Sequence, residues 1–249
     1  MKILSSIKIK AKKGIEGAVS DTSEHSDSSG VPGVNKSEKL TLSDGKQYLW
    51  KPASGEHVTK WRYIPAHTLY KRERAAYLTS QQLEWNLVPQ VRIMKVRDEI
   101  GSLQNWVSGT SAADKTLAVY SQSSILKAGL FDIIIGNSDR HSGNWLTTAD
   151  TPILIDHGDS FPNYAASGDN KSIIISRFAY QIWEKAIPET LLNGIRKLQD
   201  HDFQEHLRVL IGNEAIILFN ERVNCLLSEK IARCPKYQVI KKKTEEQMK

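Results

Sequence analysis

Apolar and polar positions first alternate at Ile7, Ile9 and Ala11 against Lys8, Lys10 and Lys12, which predicts a strand with one face in solvent. The pattern stops at residues 20–30. That stretch holds five serines and no large apolar side chain, so nothing in it offsets the entropy of ordering, and a mobile loop is expected. Between Lys39 and Lys51 two alternating runs flank Asp44-Gly45, which predicts a β-hairpin. With Asp44 and Gly45 as the two turn residues, Leu42 opposes Gln47 and Leu40 opposes Leu49, so Leu40, Leu42, Leu49 and Lys51 share one face. Pro52 ends the strand by removing a backbone donor.

Helical spacing follows over 68–83, where Leu69, Ala76, Tyr77 and Leu83 form a stripe that also carries Glu73. Strands are expected at 88–96 and 102–107, and a second helix over 121–135. The loop Gly136-Asn-Ser-Asp-Arg-His-Ser-Gly-Asn-Trp145 is polar between very apolar flanks. Short strands at 145–147 and 153–155 then surround a turn with Asp150 and Pro152. From about Ser176 to roughly Arg233 the periodic apolar residues predict helix. Strands first and helices later give an α+β class.

A chain of 249 residues can bury one large core or two small lobes, which excludes disordered and fibrous classes. The mean hydropathy of −0.41 and the absence of any long apolar run exclude a membrane-spanning helix. Lys8, Lys10, Lys12 and Lys13 interrupt any signal-peptide apolar region. The net charge of +6 raises the question of nucleic acid. Five lysines against two glutamates in 236–249 carry half of that excess, so the reading is a solvated basic tail and no nucleic-acid partner. Cys225 and Cys234 form no metal-type pair, and a reduced cytoplasmic setting is expected.

The chemistry is concentrated in two places. Asn137-Ser-Asp-Arg-His-Ser-Gly-Asn144 is followed by Asp156-His-Gly-Asp159, and a hairpin between them returns Asp156 beside Asp139 and Asn144. The oxygens of Asn144 and Asp156 suit a hard cation such as Mg²⁺ alongside substrate phosphates. Asp139 is then placed to accept a proton from an attacking hydroxyl. Lys51 on an apolar strand face and Glu73 on a buried helix stripe each carry a desolvation cost, which pairing relieves. Lys51 would meet nucleotide phosphates while Glu73 holds it. Gly33-Val-Asn35-Lys-Ser37 can turn tightly and offer backbone N–H groups to phosphate.

The run Asn137 to Leu146 with Ile155-Asp-His-Gly-Asp-Ser-Phe-Pro162 resembles the catalytic loop and metal-binding motif of the phosphatidylinositol 3-/4-kinase-like superfamily. Type II phosphatidylinositol 4-kinases look closest, and the chain is similar to small bacterial and phage members that also resemble HipA-like kinases. Lys51-Pro, Tyr70 to Tyr77, Leu87-Val-Pro89 and Gly101-Ser-Leu-Gln104 agree in order, so the resemblance covers about residues 30–165. It implies a two-lobed atypical protein-kinase-like fold, with an N-terminal sheet lobe and a mainly helical C-terminal lobe. It also implies ATP with Mg²⁺ or Mn²⁺, Asp139 as catalytic base, and His141 assisting charge at the γ-phosphate. Asn144 and Asp156 become metal ligands, Lys51 the phosphate lysine and Glu73 its partner. His157 stands where protein kinases have the Phe of D-F-G.

Two departures bear on the substrate. There is no cysteine-rich palmitoylation cluster, and 163–177 contain only Lys171 and Arg177 as cations, few for gripping an inositol phosphate. A protein Ser or Thr acceptor is therefore expected, with a lipid kinase or a nucleotide-binding pseudokinase as alternatives. A metal-dependent phosphohydrolase built on Asp139, His141, Asp156, His157 and Asp159 is the competitor from another class, and it has no use for Lys51 and Glu73. The expected organisation is one kinase-like domain over 1–249. Its parts are an N-lobe at 1–107 carrying the serine-rich loop, a C-lobe at 108–235 and the basic tail at 236–249. The serine-rich loop is an expected acceptor of phosphate from its own kinase.

Overall fold

The computed structural model describes residues 18–19, 35–42, 45–57, 64–111, 116–149, 151–163 and 172–240. The strand expected at Ile7–Ala11, the serine-rich stretch, Gly33 and residues 241–249 lie outside the described residues. Among those described, five strands form the first sheet: β1 (Ala18–Val19), β2 (Glu38–Thr41), β3 (Gln47–Pro52), β4 (Val91–Val96) and β5 (Glu99–Asn105). Their order is β1-β4-β5-β3-β2, antiparallel except for the parallel β1–β4 pair. Helix α1 (Leu69–Gln82) packs across β4 and β5.

The β2–β3 hairpin forms as expected, but its register is one residue away from the sequence reading. Leu42 N–H donates to Lys46 O at 3.0 Å, Gly45 N–H donates to Leu42 O at 2.9 Å, and Gly45 has φ +74°. The loop thus has three residues with glycine in the left-handed position, a geometry that keeps the strands' twist. Leu40 consequently opposes Tyr48, and Thr41 opposes Gln47. Leu40 is buried with Tyr48 and Trp50, whereas Lys51 shares its face with Leu49 alone of the three leucines assigned to it within β2 and β3.

The second region is mainly helical. It contains β6 (Thr110–Ser111), α2 (Gln122–Ile135), β7 (Trp145–Thr148), β8 (Thr151–Leu154) and β9 (Ser172–Ile175). These are followed by α3 (Arg177–Ile182), α4 (Glu189–Arg196), α5 (His201–Ile211), α6 (Asn213–Glu229) and β10 (Tyr237–Ile240). Helix α2 begins at Ser121, whose hydroxyl accepts from Ser124 N–H at 3.1 Å, and is apolar nearly all round, which suits a helix buried at the centre of the core. Gly136 ends it at φ +63°. A side chain there would be strained, and its Cβ would sit 3.0 Å from the Arg222 guanidinium carbon.

The helices expected from about Ser176 to roughly Arg233 are α3 to α6, which end at Glu229; the tail beyond them departs from the sequence reading. Residues 237–240, taken as the start of a solvated tail, form a strand parallel to β9, with Tyr237 against Ser172 and Ile240 against Ile175. Tyr237 is buried, and its hydroxyl accepts from Arg222 at 3.2 Å. Tyr237 and Val239 supply the apolar contacts that the lysine count masked. No helix among the described residues is long and apolar enough to cross a membrane.

Candidate active site

Lys51 connects three elements. Its Nζ lies 2.6 Å from Glu73 Oε1 on α1 and 3.0 Å from Asp156 Oδ1, just past β8. The cleft around it is lined by Asn35, Lys36, Glu56, Leu69 and Gly158 as well as the two acids. Burial alone would lower the Lys51 ammonium, but the Asp156 and Glu73 carboxylates outweigh it and hold the group above its ordinary range. Burial likewise opposes ionisation of Glu73, and there the Lys51 charge and the His157 hydrogen bond prevail, holding it well below the usual carboxylate range. Both partners are therefore charged at neutral pH.

The polar loop is tied down by its own backbone. Asn137 N–H returns to Asp132 O at 3.0 Å, and Asn137 Oδ1 accepts from Asp139 N–H at 2.8 Å. Asp139 O accepts from His141 N–H at 2.8 Å and from Asn144 Nδ2 at 2.8 Å. The described contacts that hold the loop thus include the Asp139 backbone N–H and carbonyl. His141 Nδ1 accepts from Gly143 N–H at 3.1 Å, which puts the proton of the neutral ring on Nε2, 3.9 Å from Asp139 Oδ2.

Asn144 and Asp156 suit a divalent cation. The Asn144 amide nitrogen is spent on Asp139 O, which turns its oxygen to the other side, and Asp156 uses one oxygen on Lys51 while its side chain stays 45% exposed. Ile155 N–H donates to Asn144 O at 3.1 Å, so the residue before Asp156 is hydrogen-bonded to Asn144 itself. An amide oxygen beside a carboxylate is a hard donor pair that leaves room for phosphate oxygens. Asp156 has φ +58°, a conformation tolerated by Asp and often found where function demands it.

His157 does not join a metal cluster: it is fully buried, edge-on to Phe131, with its backbone N–H 3.0 Å from Glu73 Oε2. Among the described residues no group of three His, Cys, Asp or Glu side chains is placed to hold a metal. In the proposed phosphate loop, Lys36 N–H is already committed to Gly55 O at 3.0 Å, and Asn35 Oδ1 accepts from His57 N–H at 2.6 Å. Asn35 lines the Lys51 cleft and Ser37 is buried.

Residues not assigned from the sequence hold this arrangement. Arg140, fully buried, binds Asp132 on α2 through Nε at 3.2 Å and donates to both Asn144 O and Ile155 O. It clamps the two segments that carry the proposed metal ligands. Ser176 Oγ donates to Asp132 Oδ2 at 2.7 Å, and Arg140 N–H donates to Ile175 O at 2.8 Å. Glu56 accepts from Leu69 N–H at 3.0 Å and Tyr70 N–H at 2.8 Å, capping α1 and fixing the helix that carries Glu73. The other side of α1 is held by Arg72, which donates to Asn163 Oδ1 at 2.7 Å.

The buried His157 makes a pH prediction. Burial, with the nearby Arg140 charge, lowers its pKa below the ordinary 6.5, so the unfolded state binds more protons as pH falls through that value. Stability is expected to be full above about pH 6.5 and to decline below it, and His157→Gln should flatten that slope in urea titrations across pH 7.5 to 5. An unchanged slope would show that another group governs the acid limb.

Lys51 held by the Glu73 carboxylate, with Asp139, Asn144 and Asp156 carried by the loop and the segment after β8, sits in a two-lobed atypical kinase-like fold. Residues 57–173 match the family described as phosphatidylinositol 3- and 4-kinase, so the resemblance carried by the two motifs holds. The Mycobacterium tuberculosis protein Rv2133c is 30% identical, with 44% of this chain and 52% of that protein covered. Arabidopsis thaliana phosphatidylinositol 4-kinase gamma 3 is 40% identical over 26% of this chain and 12% of the plant protein. The chain thus spans about half the length of the first relative and far less of the second. Hydra Fam20, solved with sugar, superposes with a TM-score of 0.51 at 13% identity over 86% of this chain and 88% of that one, a likeness of fold.

Proposed function

We propose that the protein transfers the γ-phosphoryl group of ATP to the hydroxyl of a protein Ser or Thr. The observation that carries this reading is the meeting at Lys51 of Glu73 and Asp156, which come from positions 22 and 105 residues away. Lys51 binds and orients the phosphates, and Glu73 keeps it from collapsing onto other acceptors. Asp139 accepts the proton of the attacking hydroxyl, and the Nε2–H of His141 faces the same carboxylate, near the charge that develops on transfer. Asn144 and Asp156 would hold Mg²⁺ or Mn²⁺, which when bound neutralises phosphate charge. A lobe boundary near 107/108 is supported by β5 ending at Asn105 in one sheet while β6 joins β7 in another.

The absence of a cysteine-rich cluster and the scarcity of cations in 163–177 support a protein acceptor over a membrane lipid. Incubation with γ-labelled ATP and Mg²⁺ or Mn²⁺ tests the reading: label is expected on protein, whereas label on phosphoinositide alone would assign a lipid acceptor. Nucleotide bound without any transfer would leave a pseudokinase. Lys51→Met should weaken ATP binding in calorimetric titration, and Glu73→Ala should do so more mildly by releasing Lys51. If both leave affinity unchanged, Lys51 is not the phosphate lysine.

A further inference from the structure

Away from the phosphotransfer site, we propose that Cys225 and Cys234 form a reversible internal disulfide that latches the entry of β10 to helix α6. They are the two cysteines of the chain, and both are free thiols. Cys225 lies near the end of α6, and Cys234 follows the turn that closes it. Each sulfur rests against the other's stretch of backbone. Cys225 Sγ lies 3.5 Å from Arg233 O, the carbonyl bonded to the Cys234 nitrogen, and Cys234 Sγ lies 3.7 Å from Arg222 O, about one turn before Cys225. Thiols crossed in this way need side-chain rotation, not a rearranged backbone, to bond. Burial, and then the adjoining Cys225 thiol, push the Cys234 thiol up, as befits two sulfurs in each other's company.

Arg222 gives the pair its structural context. It donates through Nε to Ile134 O at 2.9 Å, at the end of α2 just before the catalytic loop, and through Nη1 to the Tyr237 hydroxyl at 3.2 Å. Tyr237 N–H in turn donates to Cys234 O at 2.9 Å, so Cys234 closes the turn that leads into β10. A bond from Cys234 to Cys225 therefore fixes that turn on the helix whose Arg222 supports the end of α2. Metal binding is a poorer use of the two sulfurs. Two thiolates make half of a tetrahedral zinc set, and among the described residues no third His, Cys, Asp or Glu is placed to join them.

A hydroperoxide supplies the oxidising power. Cys225 meets it first, because it is half-buried whereas Cys234 is 2% exposed. The Cys225 thiolate, its proton given to solvent, attacks one peroxide oxygen; the O–O bond breaks, and the other oxygen takes a proton and leaves as water or an alcohol. Cys225 is then a sulfenic acid. The Cys234 sulfur attacks it, the S–S bond forms, the S–O bond breaks, and the hydroxyl departs as water with the Cys234 proton. The two thiols together give up two electrons and two protons, which reduce the peroxide. Exchange with a dithiol reverses the change.

The test treats the full chain with hydrogen peroxide, alkylates the remaining thiols and digests with trypsin in the absence of reductant. Cleavage after Arg222, Lys230, Arg233 and Lys236 puts Cys225 in peptide 223–230 and Cys234 in peptide 234–236. The two are expected joined, lighter than their sum by two hydrogens, and parted again by dithiothreitol. In hydrogen exchange the amides of Tyr237–Ile240 should exchange about tenfold more slowly in the oxidised protein. Cys225→Ser should lose both effects and exchange like the reduced wild type. Oxidation of Cys225 to sulfenic or sulfinic acid with Cys234 still alkylated overturns the inference, as do disulfide-linked dimers in place of the internal bond. A joined pair that leaves the exchange of β10 unchanged overturns the latch.

Discussion

Asp139→Asn is expected to keep most of its ATP affinity and to lose about 10²- to 10⁴-fold in transfer rate, the range for general acid–base assistance. The Asp139 backbone shapes the loop through its N–H to Asn137 and its carbonyl to Asn144 and His141. An asparagine is compatible with all three and replaces the basic oxygen with an amide. Asp156→Ala should behave differently, losing metal-dependent nucleotide binding along with activity, while Lys51 keeps Glu73 as a partner. Calorimetry and single-turnover transfer distinguish the pair. Equal loss of nucleotide binding in both would place Asp139 among the metal ligands, and full activity in Asp139→Asn would require another base.

The parts of this site legible in the sequence are those where a local pattern carries a physical cost. Lys51 and Glu73 stood out because each reads in the sequence as a charge on an apolar face; the register leaves only Leu49 of those leucines beside Lys51, yet the structure pairs the two at 2.6 Å. The loop before Asn144 stood out because polar residues interrupt two apolar runs. Asp132 carried the same kind of signal, a lone acid in Leu130-Phe-Asp-Ile-Ile-Ile135, and its buried partner Arg140 lies eight residues on. That pair was hidden because Arg140 reads as one more polar residue of the motif.

Other features had no local cost to betray them. The hairpin was visible, but its register depends on whether glycine sits second or third in the turn, and Asp44-Gly45 allows both. The β9–β10 pair joins residues far apart in the chain, and parallel pairing leaves no turn signature between its strands. Glu56 reaches the α1 N-terminus from a separate segment, 13 residues before Leu69, too far for a capping motif to be recognised. His157 belongs among the metal-binding groups only in the competing hydrolase reading, and the packing of its ring on Phe131 places it in the core.

The Asp132–Arg140 pair sets the largest expected effect on stability. Both side chains are fully buried, so removing either strands the other charge in the core, and Asp132→Leu or Arg140→Met should each cost ~3–5 kcal/mol in denaturant titrations. The double variant Asp132→Leu/Arg140→Met should recover a large part of that loss, because neither charge then remains to be desolvated. Activity should not return with it. Arg140 also donates to Asn144 O and Ile155 O, and without that clamp the loop and the Asp156 segment are free to separate. A double variant as unstable as the two single losses added together would mean that the charges act independently. One that regains transfer along with stability would mean that Ile155 N–H to Asn144 O alone suffices to hold the two ligand-bearing segments together.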